Sequence, residues 1–206
     1  ADARLLKVCI TGWLPDAIAS PDSIEMTDAE LAAIAGFAAQ SRLPLVAHAL
    51  TARGVRAALK ANVRQLAHTP IVDAATARAI ADARVCVSTT LATLQQTDQG
   101  GALRASFERL RAAGVRLIFG TDAGVLPHGE NAREFEALVR SGMSTIEAIR
   151  AATSVAGDCI GAGTYGTLRV GERADLLLVG GDPLGDVTVL KQPKYVIKAG
   201  RVEASF

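Results

Sequence analysis

The sequence predicts an α/β fold, a parallel sheet built from successive βα units and followed by a small β-rich module. Three observations predict it. Short apolar runs alternate with helical patterns from residue 4 to residue 160. The strand-like runs are nearly continuous in apolar residues, as strands covered on both faces are. Beyond residue 165 the helical pattern stops, and turn glycines with strand-type alternation replace it.

The elements follow in order. Residues 4–11 (RLLKVCIT) read as the first strand, and a loop with Gly12, Pro15 and Pro21 follows. A helix is expected over 28–41, because Thr27 can cap it and Glu30 completes a capping box. Residues 44–48 (PLVAH) are the second strand. Helix 51–61 then places Val55, Ala58 and Leu59 on one face. The third strand is 63–68 (VRQLAH), followed by helix 73–83 with Asp73 as its cap. The fourth strand is 84–89 (RVCVST). Helix 101–113 comes next and stops at Gly114. Residues 115–122 (VRLIFGTD) are the fifth strand, and helices follow at 130–141, 144–152 and 153–160. Pro183 and Pro193 punctuate the last segment, which ends in a hairpin turning at Ala199-Gly200. The expected division is 1–165 for the βα part and 166–206 for the β-rich module.

Composition narrows the function. Half of the 206 residues are apolar and 21% are charged, which suits a packed core and argues against disorder. Basic and acidic residues number 22 and 21, for a formal charge of +1. No basic patch points to nucleic acid or an anionic membrane. No apolar run is long enough to span a bilayer, and no signal peptide is visible. Cys9, Cys86 and Cys159 show no metal-site or redox spacing and read as buried free thiols. The odd count favours a reducing, cytoplasmic setting.

Three histidines are present, His48, His68 and His128. The first two end predicted strands, twenty residues apart, which is one helix plus one strand. They should therefore come from neighbouring strands and point from one end of the sheet. Asp122 ends the fifth strand in GTDAG, and Lys7 lies within the first. Taken singly, each has an ordinary structural reading. A histidine beside a strand can be a satisfied core residue, Asp122 can form a turn, and Lys7 can snorkel from a sheet edge. Together, imidazole and carboxylate at one end of a parallel sheet are a donor set for a divalent metal such as zinc. A buried lysine would join them only as a neutral amine, which reacts with carbon dioxide to give an anionic carbamate.

The segments LLKVCITG, PLVAHA, RQLAHT, 114–153 and 166–187 make the chain resemble the amidohydrolase superfamily. Within it, the likeness is to imidazolonepropionase-related enzymes and metal-dependent Xaa-Pro dipeptidases. The resemblance implies a partial (β/α)8 barrel, strands 4 to 8 of the family fold, with the C-terminal part of a small β-sandwich. It implies hydrolysis of an amide bond, in a peptide or a cyclic amide, by metal-activated hydroxide. Lys7 matches the carboxylated lysine that bridges two metals, and His48 and His68 match the histidines of the more exposed metal. Asp122 matches the aspartate that binds the buried metal and acts as general base. His128, in the following loop, is expected to line the substrate pocket.

One departure matters. The family's HxH ligand pair is absent, as are the strands that would precede Lys7. The expectation is therefore a binuclear zinc enzyme of which this chain retains at most one site, around Lys7, His48 and His68. Its partner would be a small amide or dipeptide, and a second copy would cover the open side of the barrel. The alternative is a catalytically inactive fragment or paralogue serving as a binding or assembly module.

Overall fold

The computed structural model describes residues 3–13, 19–20, 23–95, 101–161 and 165–206. The loop prolines Pro15 and Pro21 lie outside the described residues. The strands of the described chain form two sheets. The first runs β1 (Leu6–Cys9), β2 (Leu45–His48), β3 (Gln65–Ala67), β4 (Cys86–Ser88) and β5 (Arg116–Ile118), in that spatial order. The pairs β1–β2, β2–β3 and β3–β4 are parallel. This is the α/β sheet that the alternating pattern predicts, with shorter strands. Its ends at β1 and β5 are open edges in the described chain.

The connecting helices are α1 (Asp28–Gln40), α2 (Ala52–Lys60), α3 (Ala74–Asp82), α4 (Leu91–Leu94) and α5 (Ala102–Ala112). Local chemistry sets their ends. Thr27 and Glu30 form the expected capping box on α1. Thr51 caps α2, and Asp73 caps α3 with a 2.6 Å bond from the Thr76 N–H. Gly114, just past α5, takes φ +75°, the left-handed stop that glycine accepts freely. The four-residue α4 was not legible in the sequence.

Strand register sorts side chains into layers, because partners across a parallel pair share a face. Val8, Ala47, Leu66 and Val87 are register partners, and all are buried. The other face carries two rows. One is Lys7, Val46, Gln65 and Cys86; the other is Cys9, His48, Ala67 and Ser88. Around this sheet, Ile10, Leu50, Val55, Ile80, Leu103, Phe107 and Leu110 are fully buried.

The chain divides into two compact units, residues 1–90 with 94–117 and residues 91–93 with 118–206. The second unit contains α6 (Arg133–Arg140), α7 (Thr145–Ala152) and α8 (Ser154–Ile160). Its antiparallel sheet is β6 (Leu176–Val179), β7 (Pro193–Lys198) and β8 (Arg201–Ser205). Ala199 and Gly200, at φ +49° and +79°, make the expected hairpin turn. A 3-10 helix at Val187–Lys191 precedes β7, and Lys191 pairs with Glu136 of α6. Ser144 and Glu147 close a capping box on α7.

The expectation of three buried free thiols is corrected. Cys9 is free but exposed, because it faces the open side of an edge strand. Cys86 and Cys159 are buried, and neither is a free thiol. No described helix is long and apolar enough to cross a membrane.

Candidate metal and active site

Two neighbouring strands deliver two histidines to the same end of the first sheet. His48 is the last residue of β2, and His68 directly follows β3. Their ring centroids are 4.7 Å apart, with the planes at 70°. Both are buried, at 7% and 3% exposure.

Each ring makes a hydrogen bond, and that of His48 constrains its proton. His48 Nε2 lies 3.0 Å from the Gly12 carbonyl oxygen. A carbonyl oxygen only accepts, so Nε2 carries hydrogen, and in the neutral ring Nδ1 bears the lone pair. His68 Nδ1 lies 3.0 Å from Thr90 Oγ1, a hydroxyl that can accept or donate. Anchoring one imidazole nitrogen to a carbonyl or other acceptor, so that the opposite nitrogen can bind a cation, is the usual arrangement of a metal-ligating histidine. The donor chemistry therefore fits a divalent metal.

The loop after β1 builds the roof of this pair. Ile10 N–H donates to His48 O at 2.9 Å, and Leu50 N–H donates to Thr11 Oγ1 at 2.9 Å. Thr11 packs closely on α2, where a Cβ at Gly54 would lie 2.3 Å from Thr11 Cγ2. The loop then carries Trp13 over both histidines. Its ring stacks on His48 at 6.1 Å and meets His68 edge-on at 5.9 Å.

Left-handed backbone also occurs after three of the strands. Among described non-glycine residues with left-handed φ, Arg42, Asn62 and Arg84 each directly follow a helix C-cap, where this conformation is common. His68, Thr90 and Asp122, at φ +72°, +49° and +53°, instead follow β3, β4 and β5. Such conformations cost of order 1–3 kcal/mol each and persist where the surroundings enforce them.

The remaining expected residues are placed less uniformly. Lys7 lies on the sheet face of His48, one register row away, but it is exposed. The burial that would neutralise its amine is not found in the described chain, where β1 is an edge strand. Asp122 belongs to the second unit and is partly buried. Its carbonyl accepts from Val125 N–H at 3.1 Å. The preceding Thr121 is fixed from two sides. Thr93 Oγ1 donates to its carbonyl at 2.7 Å, and its own hydroxyl bonds Asn131 Oδ1 at 3.0 Å. His128 is exposed in the loop that follows. Among the described residues no group of three or more His, Cys, Asp or Glu side chains stands where it could hold a metal ion.

Trp13, Thr90 and Glu134 were not singled out in the sequence, and Gly12 was read only as a loop residue. For Glu134 a signal existed. It shares the buried face of α6 with Ala137 and Leu138, so a carboxylate sits on an apolar stripe.

The family model described as "Amidohydrolase family" matches residues 2–202. An ochratoxinase of Aspergillus niger is 28% identical over 223 residues, covering 97% of this chain and 46% of that protein. The chain thus spans about half the length of the curated relatives it matches. The crystal structure of a Xaa-Pro dipeptidase with methionine bound in the active site superposes with a TM-score of 0.89 at 25% identity. That match covers 99% of this chain and 55% of the other. A prolidase complexed with N-methylphosphonate-L-proline gives a TM-score of 0.86 at 26% identity, covering 100% of this chain and 56% of the other.

Proposed function

Because the chain belongs to the amidohydrolase family, we propose that it supplies histidine ligands and an acid–base carboxylate to a metal-dependent hydrolase of amide carbon–nitrogen bonds. The observation that carries this reading is the His48–His68 pair. The rings are 4.7 Å apart, and His48 is fixed by Gly12 in the tautomer whose Nδ1 can bind a cation. The fold we attach to it is part of a (β/α)8 barrel over 1–165, with part of a β-sandwich over 166–206. A second copy would cover the open sheet face.

His48 and His68 would hold the metal, with zinc the cation best suited to imidazole. Lys7, carboxylated on Nζ, would add an anionic ligand to the set. When bound, a divalent cation polarises the scissile carbonyl and acidifies water to a pKa of about 7. The protein's own acid–base step falls to Asp122. Its carboxylate takes the proton of the attacking water and passes it to the leaving amine nitrogen. Trp13 and the His48–Gly12 bond hold the ligands in place and keep solvent off the rings. His128 would contact the substrate from its loop. The substrates we assign are dipeptides ending in proline, by likeness to the Xaa-Pro dipeptidase, and N-acyl amino acids.

The experiment is hydrolysis of Xaa-Pro dipeptides and N-acyl amino acids by the zinc-loaded chain, beside its His48→Ala variant. Hydrolysis that needs zinc and is lost in the variant supports the reading. Hydrolysis unaffected by either change contradicts it.

A further inference from the structure

His68 is oriented by residues to which the reading above gives no role. Thr90 Oγ1 lies 3.0 Å from His68 Nδ1, and both side chains are buried. Thr90 is β-branched yet holds φ +49°, a region such residues rarely enter. Something must fix that backbone, and the next two residues show what. Leu91 N–H donates to Glu134 Oε1 at 3.0 Å, and Ala92 N–H donates to Glu134 Oε2 at 2.7 Å. Glu134 is fully buried. A buried carboxylate accepting two backbone N–H groups forms charge-assisted bonds, which are stronger than neutral ones. The Thr90 carbonyl meanwhile accepts from Leu94 N–H at 3.1 Å, which closes α4 behind the turn. The backbone of 91–92 is thus gripped by Glu134, while the Thr90 side chain is held against the histidine ring.

We propose that Thr90 is the positioning residue of His68, accepting from Nδ1–H so that Nε2 is the ligating nitrogen, and that Glu134 anchors the turn carrying Thr90. The proposal rests on the metal reading of His48 and His68. It makes the two histidines complementary. His48 is held through Nε2 by a backbone carbonyl, and His68 through Nδ1 by a side-chain hydroxyl. The hydroxyl can be removed without removing the chain, so the His68 anchor can be tested by mutation where the Gly12 carbonyl cannot.

The test compares the full chain with Thr90→Val, Thr90→Ser and Glu134→Gln. Two quantities are read, zinc affinity against a competing chelator and the His68 tautomer by long-range proton–nitrogen NMR of the metal-free protein. Thr90→Val keeps the shape and loses the acceptor, so zinc affinity should fall about 10–100-fold while Thr90→Ser stays within about threefold. In wild type and Thr90→Ser the His68 proton should sit on Nδ1, and in Thr90→Val both tautomers should appear. A merely structural threonine would not move that signature. Glu134→Gln, which replaces one acceptor oxygen with a donor, should reproduce the tautomer mixing with Thr90 intact. Equal zinc affinity and an unchanged tautomer in Thr90→Val overturn this proposal alone. A wild-type chain that takes up no zinc overturns it together with the metal reading.

Discussion

His48 and Gly12 are joined by a 3.0 Å hydrogen bond that links the end of β2 to the loop leaving β1. The bond connects fold and chemistry. The parallel pairing of β1 with β2 brings Cys9 opposite His48, so the chain leaving β1 passes directly over the histidine. Leu50 N–H then holds Thr11, and Gly54 leaves room for it. The tautomer of His48 is therefore a consequence of sheet register.

The first prediction concerns that close approach. Gly54→Ala should destabilise the chain by about 1–3 kcal/mol, because the added methyl group collides with Thr11 and neither neighbour can yield freely. Urea unfolding measures it. A change below about 0.5 kcal/mol would show that the Thr11 loop relaxes easily.

Asp122 supplies the second prediction. Asp122→Asn keeps size and turn-forming capacity but cannot take up a proton at neutral pH. Turnover of a cleaved amide should fall about 100–10,000-fold, with KM changed little. Steady-state kinetics decide the matter, and turnover within about threefold of wild type would remove Asp122 from the acid–base role.

Acid sensitivity gives a third. The Thr27 backbone N–H bonding Glu30, and the Thr76 backbone N–H bonding Asp73, each hold a carboxyl below its ordinary value. The Ala199 backbone does the same for Asp175, and the Thr188 hydroxyl and backbone for Asp186. Depressed carboxyl pKa values stabilise the folded state fully above the unfolded values of about 4, and this contribution is lost as pH falls through the lower folded values. The urea midpoint should thus hold steady from about pH 7 to 5 and decline below about pH 4. Asp73→Asn keeps a cap but does not titrate, so its midpoint should decline less. An equal decline would mean that Asp73 contributes nothing to acid unfolding.

Much of this was legible in the sequence, for identifiable reasons. The capping residues Thr27, Glu30 and Asp73 act on backbone groups within three positions, so local chemistry sufficed. His48 and His68 were legible because strand ends in a parallel sheet share one edge. What escaped depends on chain brought from afar. Thr90 matters through a residue 22 positions away, and Glu134 through residues more than 40 positions away. Trp13 matters through two rings 35 and 55 positions away, on His48 and His68. Lys7 had two readings, a buried amine or a lysine at a sheet edge, because edge-strand position is not encoded in its own neighbours. The cysteines failed likewise, since burial of a thiol and its pairing are tertiary properties.

The central claim is that His48 and His68 together hold a divalent cation, and elemental analysis tests it most directly. The full chain would be loaded with zinc and dialysed beside the double variant His48→Ala, His68→Ala, with circular dichroism confirming that both are folded. The account predicts about one retained zinc per wild-type chain and close to none in the variant. Equal zinc in the two folded proteins would contradict it.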